Sequence, residues 1–473
     1  MSKKTNILFF FTDDQRFDTI HALGNEEIAT PNLDALVREG TAFTHASIMG
    51  GSCPAVCMPS RAMLMTGRFL SRLEGNGSQI PAEQTTLPEA LRYVGYHTHH
   101  IGKWHQDRDS FHRSFDSGAR IFGFAKGWYN QYGGHWNVPL HDFDSTGAYD
   151  PDEAYILAAD KETRLPVRTA VGGVHSSEMF ADAAIEFLDQ RARGSGPTTD
   201  KPFFMYLSFV APHDPRQSPN AFEEMYPSDS VSLPENFMPR HPFDNGELTV
   251  RDEALEAWPR RERSVRRHIG DYYAMISDAD AQIGRVIDKL KASGEYENTL
   301  IIFAGDNGLA VGQHGLMGKQ NLYEHSIRVP VIFRGPQIPA GSRTDSLCYL
   351  LDVFPTLCDY LDVAVPESVD GISLLPAVHT PGRQLRESHY YSYRGCQRAL
   401  RSGEWKLIEY RVEDRRRTQL FNLEEDPWEL ENRADDPACR EQLASLRRQL
   451  FAWRDASDDN KPEHGRVFWQ NDG

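Results

Sequence analysis

No apolar run in the 473 residues approaches the roughly 20 needed to cross a bilayer. The longest near the start, Ile7-Leu8-Phe9-Phe10-Phe11, is too short even for the core of a secretory signal. A membrane is therefore not an expected partner. The chain as given reads as cytoplasmic, or as periplasmic or secreted where an export signal has been removed. Cysteine is scarce: Cys53, Cys57, Cys348, Cys358, Cys396 and Cys439 are too few and too scattered for a disulfide framework. Basic charge is short as well, with 51 Lys and Arg against 68 Asp and Glu. The resulting net charge of −17 argues against nucleic acid as a partner and would repel an anionic substrate, so any anion site must be locally positive. Internal repeats and low-complexity tracts are absent. What remains has the composition of an ordinary globular chain, long enough for two or three domains.

Apolar runs rich in β-formers alternate with helical patterns, which predicts an α/β domain on a large, mostly parallel central sheet flanked by helices. The candidate strands are Asn6–Phe11, His97–Ile101, Pro202–Val210, Thr299–Ala304 and Val329–Phe333, hydrophobic enough to be buried on both faces. Thr30-Pro31 opens a helix with the stripe Leu33, Leu36 and Val37, and Gly40 ends it. A longer helix is predicted from about Arg266 to Ser293, with Ile269, Tyr272, Ile276, Ala279, Ile283, Val286 and Leu290 at helical spacing. Residues 194–200 read as a polar loop, and 235–260 as a long irregular segment rich in proline and charge. After Pro376 the texture changes to short strands, Ser388–Tyr393, Arg398–Arg401, Lys406–Tyr410 and Thr418–Asn422, followed by a helix over 437–453. The expected division is 1–376, the α/β domain, and 377–473, a smaller antiparallel sheet with a helix.

Ligands of an open parallel sheet bind beyond the carboxyl ends of its strands. Here four strands run into Thr12-Asp13-Asp14, Gly102-Lys103-Trp104-His105, Ala211-Pro212-His213-Asp214 and Gly305-Asp306-Asn307-Gly308. Each alone is a turn or cap; together they deliver carboxylates, histidines and a lysine to one edge. Asp13, Asp14, Asp306 and Asn307 offer only oxygen ligands, a set that suits a hard cation, Ca²⁺ first and Mg²⁺ second. The adjacent carboxylates at 13 and 14 would repel one another without it.

Cys53-Pro-Ala-Val-Cys57 has one residue too many between its thiols for a redox motif and no second pair for zinc. Pro59 fits the first position of a helix through Arg61–Thr66 that Gly67 ends. Cys57 then sits just before a helix start, where amide N–H groups and the dipole favour an anion, and a thiolate would be stabilised there. Local physics alone leaves thiol chemistry open.

Cys57-Met58-Pro59-Ser60-Arg61 with Thr66-Gly67-Arg68 resembles the signature of the type I sulfatases, the formylglycine-dependent sulfatases of the alkaline phosphatase superfamily. The resemblance runs through most of the chain. Thr12-Asp13-Asp14-Gln15, Thr30-Pro31-Asn32-Leu33-Asp34, Gly102-Lys103-Trp104-His105, Pro212-His213, Asp306-Asn307-Gly308, Gly318-Lys319 and Tyr323-Glu324 stand in the family's order, and Gly403–Leu407 and Leu420–Glu424 resemble its C-terminal subdomain. One departure is Asn307, where some relatives in the superfamily carry histidine; the second-metal pattern of alkaline phosphatase is not recognisable.

The resemblance implies that a formylglycine-generating enzyme oxidises Cys57 to Cα-formylglycine, whose hydrate attacks sulfur beside one cation. Asp13, Asp14, Asp306, Asn307 and residue 57 itself would hold that cation. It further implies that Lys103 and Lys319 bind sulfate, Arg61 supports residue 57, His213 protonates the leaving oxygen, and His105 takes the proton that releases sulfate. His314 would lie just behind these groups. A sulfate ester hydrolase acting on a sulfated saccharide is the expectation, because Trp128-Tyr129-Asn130-Gln131-Tyr132-Gly133-Gly134-His135-Trp136 concentrates rings that suit stacking on sugars. The alternative is that those rings pack an ordered insertion. Arg260, Arg261, Arg263, Arg266 and Arg267 read first as a solvated helix entrance and second as a contact for an anionic chain. Rival functions are a formylglycine-dependent phosphonate monoester or phosphodiester hydrolase, an inactive glycan-binding relative, and a hydrolase using the unmodified thiol.

Overall fold

The computed structural model describes residues 4–126, 133–167, 172–195 and 200–470. Its centre is an eight-stranded sheet. In chain order the strands are β1 (Asn6–Thr12), β2 (Thr41–Phe43), β3 (His97–Lys103), β4 (Ser117–Phe122), β5 (Phe203–Ser208), β6 (Thr299–Gly305), β7 (Val331–Arg334) and β8 (Ser342–Thr344). In space they run β8-β2-β7-β6-β1-β5-β3-β4. All pairs are parallel except the two that β7 makes, with β6 and β2. Every residue of β1 is buried, as a strand covered on both faces requires.

One face of the sheet packs against α1 (Pro31–Glu39), α3 (Ser176–Ala192) and α4 (Glu262–Ala292). There Leu8, Phe10, Met205, Leu207, Ile301 and Phe303 meet Leu33, Leu36, Phe180, Ile283, Val286 and Leu290. The other face, through Phe9, Phe11, Tyr206 and Ile302, shares its core with Met63, Leu64 and Met65 of α2 (Cys57–Thr66). Truncating such a ring to alanine would cost about 3–5 kcal/mol. Helix α4 starts four residues ahead of the sequence expectation, at Glu262, and Gly294 at φ +73° follows its end. The side chain of Thr30 does not cap α1. Asp280 of α4 does so from outside, accepting the amides of Asn32 and Leu33 at 3.2 and 2.7 Å.

The C-terminal sheet comprises β9 (Ser388–Tyr393), β10 (Gln397–Ser402), β11 (Trp405–Val412) and β12 (Arg415–Asn422), all antiparallel, with α5 (Arg440–Ala456) against it. It does not consist of C-terminal residues alone. Gly50–Gly51, a few residues ahead of α2, adds to β9 as a parallel strand. Gly50 is required there: at φ +100°, a Cβ would sit 2.1 Å from the carbonyl oxygen of Ser392. The segment that leads into Cys57 is thereby anchored to the C-terminal sheet.

Candidate active site

The register of β1 against β6 pairs Thr12 with Gly305, so the next residues of each strand meet beyond the sheet edge. Asp306 N–H donates to the Thr12 carbonyl at 3.0 Å, and Asp14 N–H to Asp306 Oδ1 at 2.9 Å. Asp14 takes φ +68°, a left-handed conformation that turns the acidic pair inward. From the other side, Gly102 pairs with Ser208 so closely that a Cβ would lie 2.0 Å from the Ser208 carbonyl oxygen. That approach brings Lys103 to Asp13, whose carboxylate accepts its ammonium. Lys103 Nζ also lies 3.6 Å from Cys57 Sγ, and His105 Nδ1 lies 3.4 Å from the same sulfur.

Helix α2 begins at Cys57 itself, so Pro59 is its third residue rather than its first. Arg61, one turn on, points its guanidinium into the sheet edge. It donates to Asp306 Oδ2 at 2.9 Å and Ser208 Oγ at 2.6 Å, and packs over the Phe11 ring at 4.9 Å. Lys319 Nζ donates to Asp14 Oδ1 at 2.5 Å, and Asn307 Nδ2 to the same oxygen at 2.7 Å. Asp13, Asp14, Cys57, Arg61, Lys103, Asp306, Asn307 and Lys319 are all buried, and His213 nearly so.

The expectation of a stabilised thiolate fails. Burial pushes the Cys57 thiol up to about 12, outweighing Lys103 and Lys319, which pull it down. A helix start favours an anion only where its gain exceeds the cost of burial, and at Cys57, 2% exposed, burial outweighs it even with two lysines beside the sulfur. Cys53 and Cys57 are both free thiols.

The donor set fits a hard cation. Among the described residues, Asp13 Oδ1 and Asn307 Oδ1 are buried with no hydrogen-bond partner. Asp13, Cys57 and Asp306 each present a ligand atom within 4.8 Å of the others, as do Asp13, Asp14 and His213. The carboxyls respond accordingly. Burial raises Asp13, but Lys103, His213, Arg61 and Lys319 overcome it and hold it well below the usual range. Burial and the Asp13 charge push Asp306 up to about 7. Asp306 is thus the carboxyl whose crowding a bound cation would relieve. The amide of Asn307 turns its nitrogen to Asp14 and Gly308, which leaves its oxygen for a ligand role.

A cavity of about 210 Å³ opens onto Cys57, His105, His213 and Lys319. Burial, then Lys103 and Arg61, hold the His105 imidazole well below its ordinary range, so it is neutral. The rest of the wall is Pro54, Ala55, Val250, Arg251, Asp252 and Gln320, none of which the sequence reading singled out. A larger cavity of about 550 Å³, bordered by Arg16, Tyr273 and Arg328, contains none of these groups. His314 stacks on Tyr323 at 3.9 Å and is hydrogen-bonded by Nε2 to the Glu429 carbonyl, which makes it part of the packing against the C-terminal unit. Arg260 is buried over Trp258 and paired with Glu253, so it belongs to neither surface reading. Of the aromatic segment, residues 128–132 lie outside the described residues. His135 lies in the interior, bonded to Ser176 Oγ and the His213 carbonyl, and presents no stacking face.

The sulfatase family model matches residues 5–363, and the model for the C-terminal part of N-sulphoglucosamine sulphohydrolase matches 312–456. An N-acetylglucosamine-6-O-sulfatase of Bacteroides thetaiotaomicron is 26% identical, covering 98% of this chain and 88% of its own. A protein solved in complex with its substrate D-glucosamine-2-N,6-O-disulfate superposes with a TM-score of 0.75 at 23% identity, over 97% of this chain and 99% of that one. The phosphonate monoester hydrolase of Agrobacterium radiobacter gives 0.70 at 24%, over 94% and 96%. The chain belongs to the sulfatase family, the type I sulfatases of the alkaline phosphatase superfamily, and is an enzyme of that class.

Proposed function

We propose that the protein hydrolyses the sulfate ester of a sulfated saccharide, with Cys57 converted to formylglycine and one divalent cation, Ca²⁺ by its all-oxygen protein ligands, held by Asp13, Asp14, Asp306 and Asn307. The observation that carries this reading is the meeting of Cys57 with Asp13 and Asp306 within 4.8 Å, under a cavity walled by His105, His213 and Lys319. When bound, the cation would relieve the crowding that raises Asp306 and favour ionisation of a hydroxyl at residue 57. The hydrated aldehyde supplies one hydroxyl to attack sulfur and a second whose deprotonation expels sulfate, which a serine could not do.

This chain's own residues do the rest. Lys103 and Lys319 bind sulfate oxygens and stabilise the charge that grows on them. Arg61 fixes the start of α2 against Asp306 and so orients residue 57. His105, neutral and beside residue 57, accepts a proton there. His213, on the leaving-group side, gives its proton to the departing oxygen. Arg61, Lys103 and Lys319 balance Asp306, Asp13 and Asp14, so a bound divalent cation would leave the pocket locally positive, as a net charge of −17 demands. Support for a saccharide comes from the relative named N-acetylglucosamine-6-O-sulfatase.

Two measurements test the reading. Peptide mass spectrometry over residues 50–68 should show sulfur replaced by oxygen and two hydrogens lost at position 57. Turnover of p-nitrophenyl sulfate, an aryl phosphonate ester and a panel of sulfated mono- and oligosaccharides should favour the sulfates. A higher kcat/KM on the phosphonate would replace this function with the phosphonate hydrolase.

A further inference from the structure

Polar contacts around the cavity mouth close into a ring. His213 Nδ1 is hydrogen-bonded to the backbone carbonyl of Asp214 at 2.7 Å and lies 3.4 Å from Oδ1 of the same residue, while its Nε2 lies 3.9 Å from Asp14. Asp214 receives both terminal nitrogens of Arg251, at 2.6 and 2.7 Å. The same guanidinium donates through Nε to Asp252 Oδ1 at 2.9 Å, and Asp252 Oδ2 accepts from Gln320 at 2.6 Å. Gln320 accepts the Lys319 amide at 2.9 Å and donates to the Pro54 carbonyl at 2.9 Å. Lys319 Nζ returns to Asp14. The ring joins four segments with no shared secondary structure. Arg251 is its keystone, half-exposed at 48% yet gripped by two carboxylates that are 9% and 8% exposed.

We propose that Arg251 is a positioning residue for the reaction: by holding Asp214 and Asp252 it fixes His213 on the leaving-group side and Lys319 on the sulfate side of one ester. The inference rests on the roles given above to His213 and Lys319. As the bond from sulfur to the ester oxygen breaks, its electron pair stays on that oxygen, and the His213 Nε2 proton neutralises it. A sugar alkoxide is a poor leaving group and needs that proton; p-nitrophenolate hardly does. A displaced His213 is therefore felt on a saccharide sulfate far more than on p-nitrophenyl sulfate, whereas general loosening of the fold slows both alike.

The experiment compares Arg251→Met and Arg251→Lys with wild type, as formylglycine-bearing, Ca²⁺-loaded enzyme, on p-nitrophenyl sulfate and on the saccharide sulfate that wild type turns over fastest. Arg251→Met should lose at least ~10-fold more kcat on the saccharide than on the aryl ester, with most of the loss in kcat rather than KM. Added guanidinium should restore part of the loss, and Arg251→Lys, charged but unable to fork between two carboxylates, should fall between. Equal losses on both esters, or none, would overturn the proposal. An Arg251→Met protein that does not fold leaves the decision to Arg251→Lys, read by the same ratio. Wild type inactive on every sulfate ester would instead sink the functional reading beneath it.

Discussion

Arg61 donates to Asp306 across 2.9 Å and 245 residues of chain, with both side chains buried. The contact ties the helix that begins at Cys57 to the strand end that carries a candidate cation ligand. Removing the guanidinium leaves the buried Asp306 carboxyl, already raised to about 7, without its cationic partner. At pH 8.5, where Asp306 is ionised, Arg61→Met should therefore lose about 3–5 kcal/mol in urea unfolding, the usual cost of breaking a buried pair from one side, and less at pH 6, where the carboxyl takes up a proton instead. Arg61→Lys keeps the charge, loses the fork to Ser208, and should lose less. Ca²⁺ added to Arg61→Met should recover part of the stability, since it supplies the missing charge from the other side. A loss below about 1 kcal/mol would show that the pair is not what compensates Asp306.

Cation binding should release a proton at Asp306. Its carboxyl is raised to about 7 in the cation-free protein, by burial first and Asp13 second. Below pH 7 a cation must displace that proton, so apparent Ca²⁺ affinity should fall up to about tenfold per pH unit and level off above 7. Calorimetric titration of metal-stripped protein, in two buffers of different ionisation enthalpy, reads the released proton directly. Chelation should abolish turnover and lower stability by about 3 kcal/mol relative to protein held at a hundred times the dissociation constant. Affinity that stays flat from pH 5.5 to 8 would contradict the assignment.

Much of this centre is written in strand ends. Thr12-Asp13-Asp14 and Gly305-Asp306-Asn307 are conspicuous because a buried parallel strand is apolar until the residue where it leaves the sheet. The ring at the cavity mouth is illegible for the opposite reason. Arg251 and Asp252 sit in an irregular stretch with one 3-10 turn, and only the fold brings them to Asp214 and Gln320. The Cys57 thiol misleads because position at a helix start is local, whereas the burial that overrides it is set by the tertiary packing around it. Gly50–Gly51 gives no strand signal at all; its pairing with Ser392 and Tyr393 is decided by the C-terminal sheet.

Cys57→Ser should separate attack from release. A serine hydroxyl can take the sulfuryl group, but it has no second hydroxyl to expel it. The variant should release at most one equivalent of p-nitrophenol per chain and then stop, and intact-mass measurement should show one added sulfuryl group on residue 57. Steady turnover by Cys57→Ser would mean that the nucleophile lies elsewhere.

Acid sensitivity should follow the buried histidines. Burial pushes His241 down to about 4, against the His314 carbonyl and Asp244. Burial also takes His45 and His135 down to about 3, helped by Arg401 in the first case and His175 in the second. An imidazole depressed in the fold takes up protons more readily once unfolded. Its contribution to stability is thus complete above the unfolded value of 6.5 and is lost as pH falls from there toward 4 or 3. For His241 alone the loss at pH 5 is about 2 kcal/mol. His241→Phe isolates it. The ring lies against Phe243 and Tyr323, at 4.6 and 5.9 Å between centroids, so phenylalanine keeps the packing. It gives up one hydrogen bond, from Nδ1 to the His314 carbonyl at 3.1 Å, worth about 1 kcal/mol. Urea unfolding at pH 7.5 should therefore find the variant slightly weaker than wild type, and at pH 5 the order should reverse. Parallel stability curves for the two proteins between those pH values would mean that His241 is already charged in the fold.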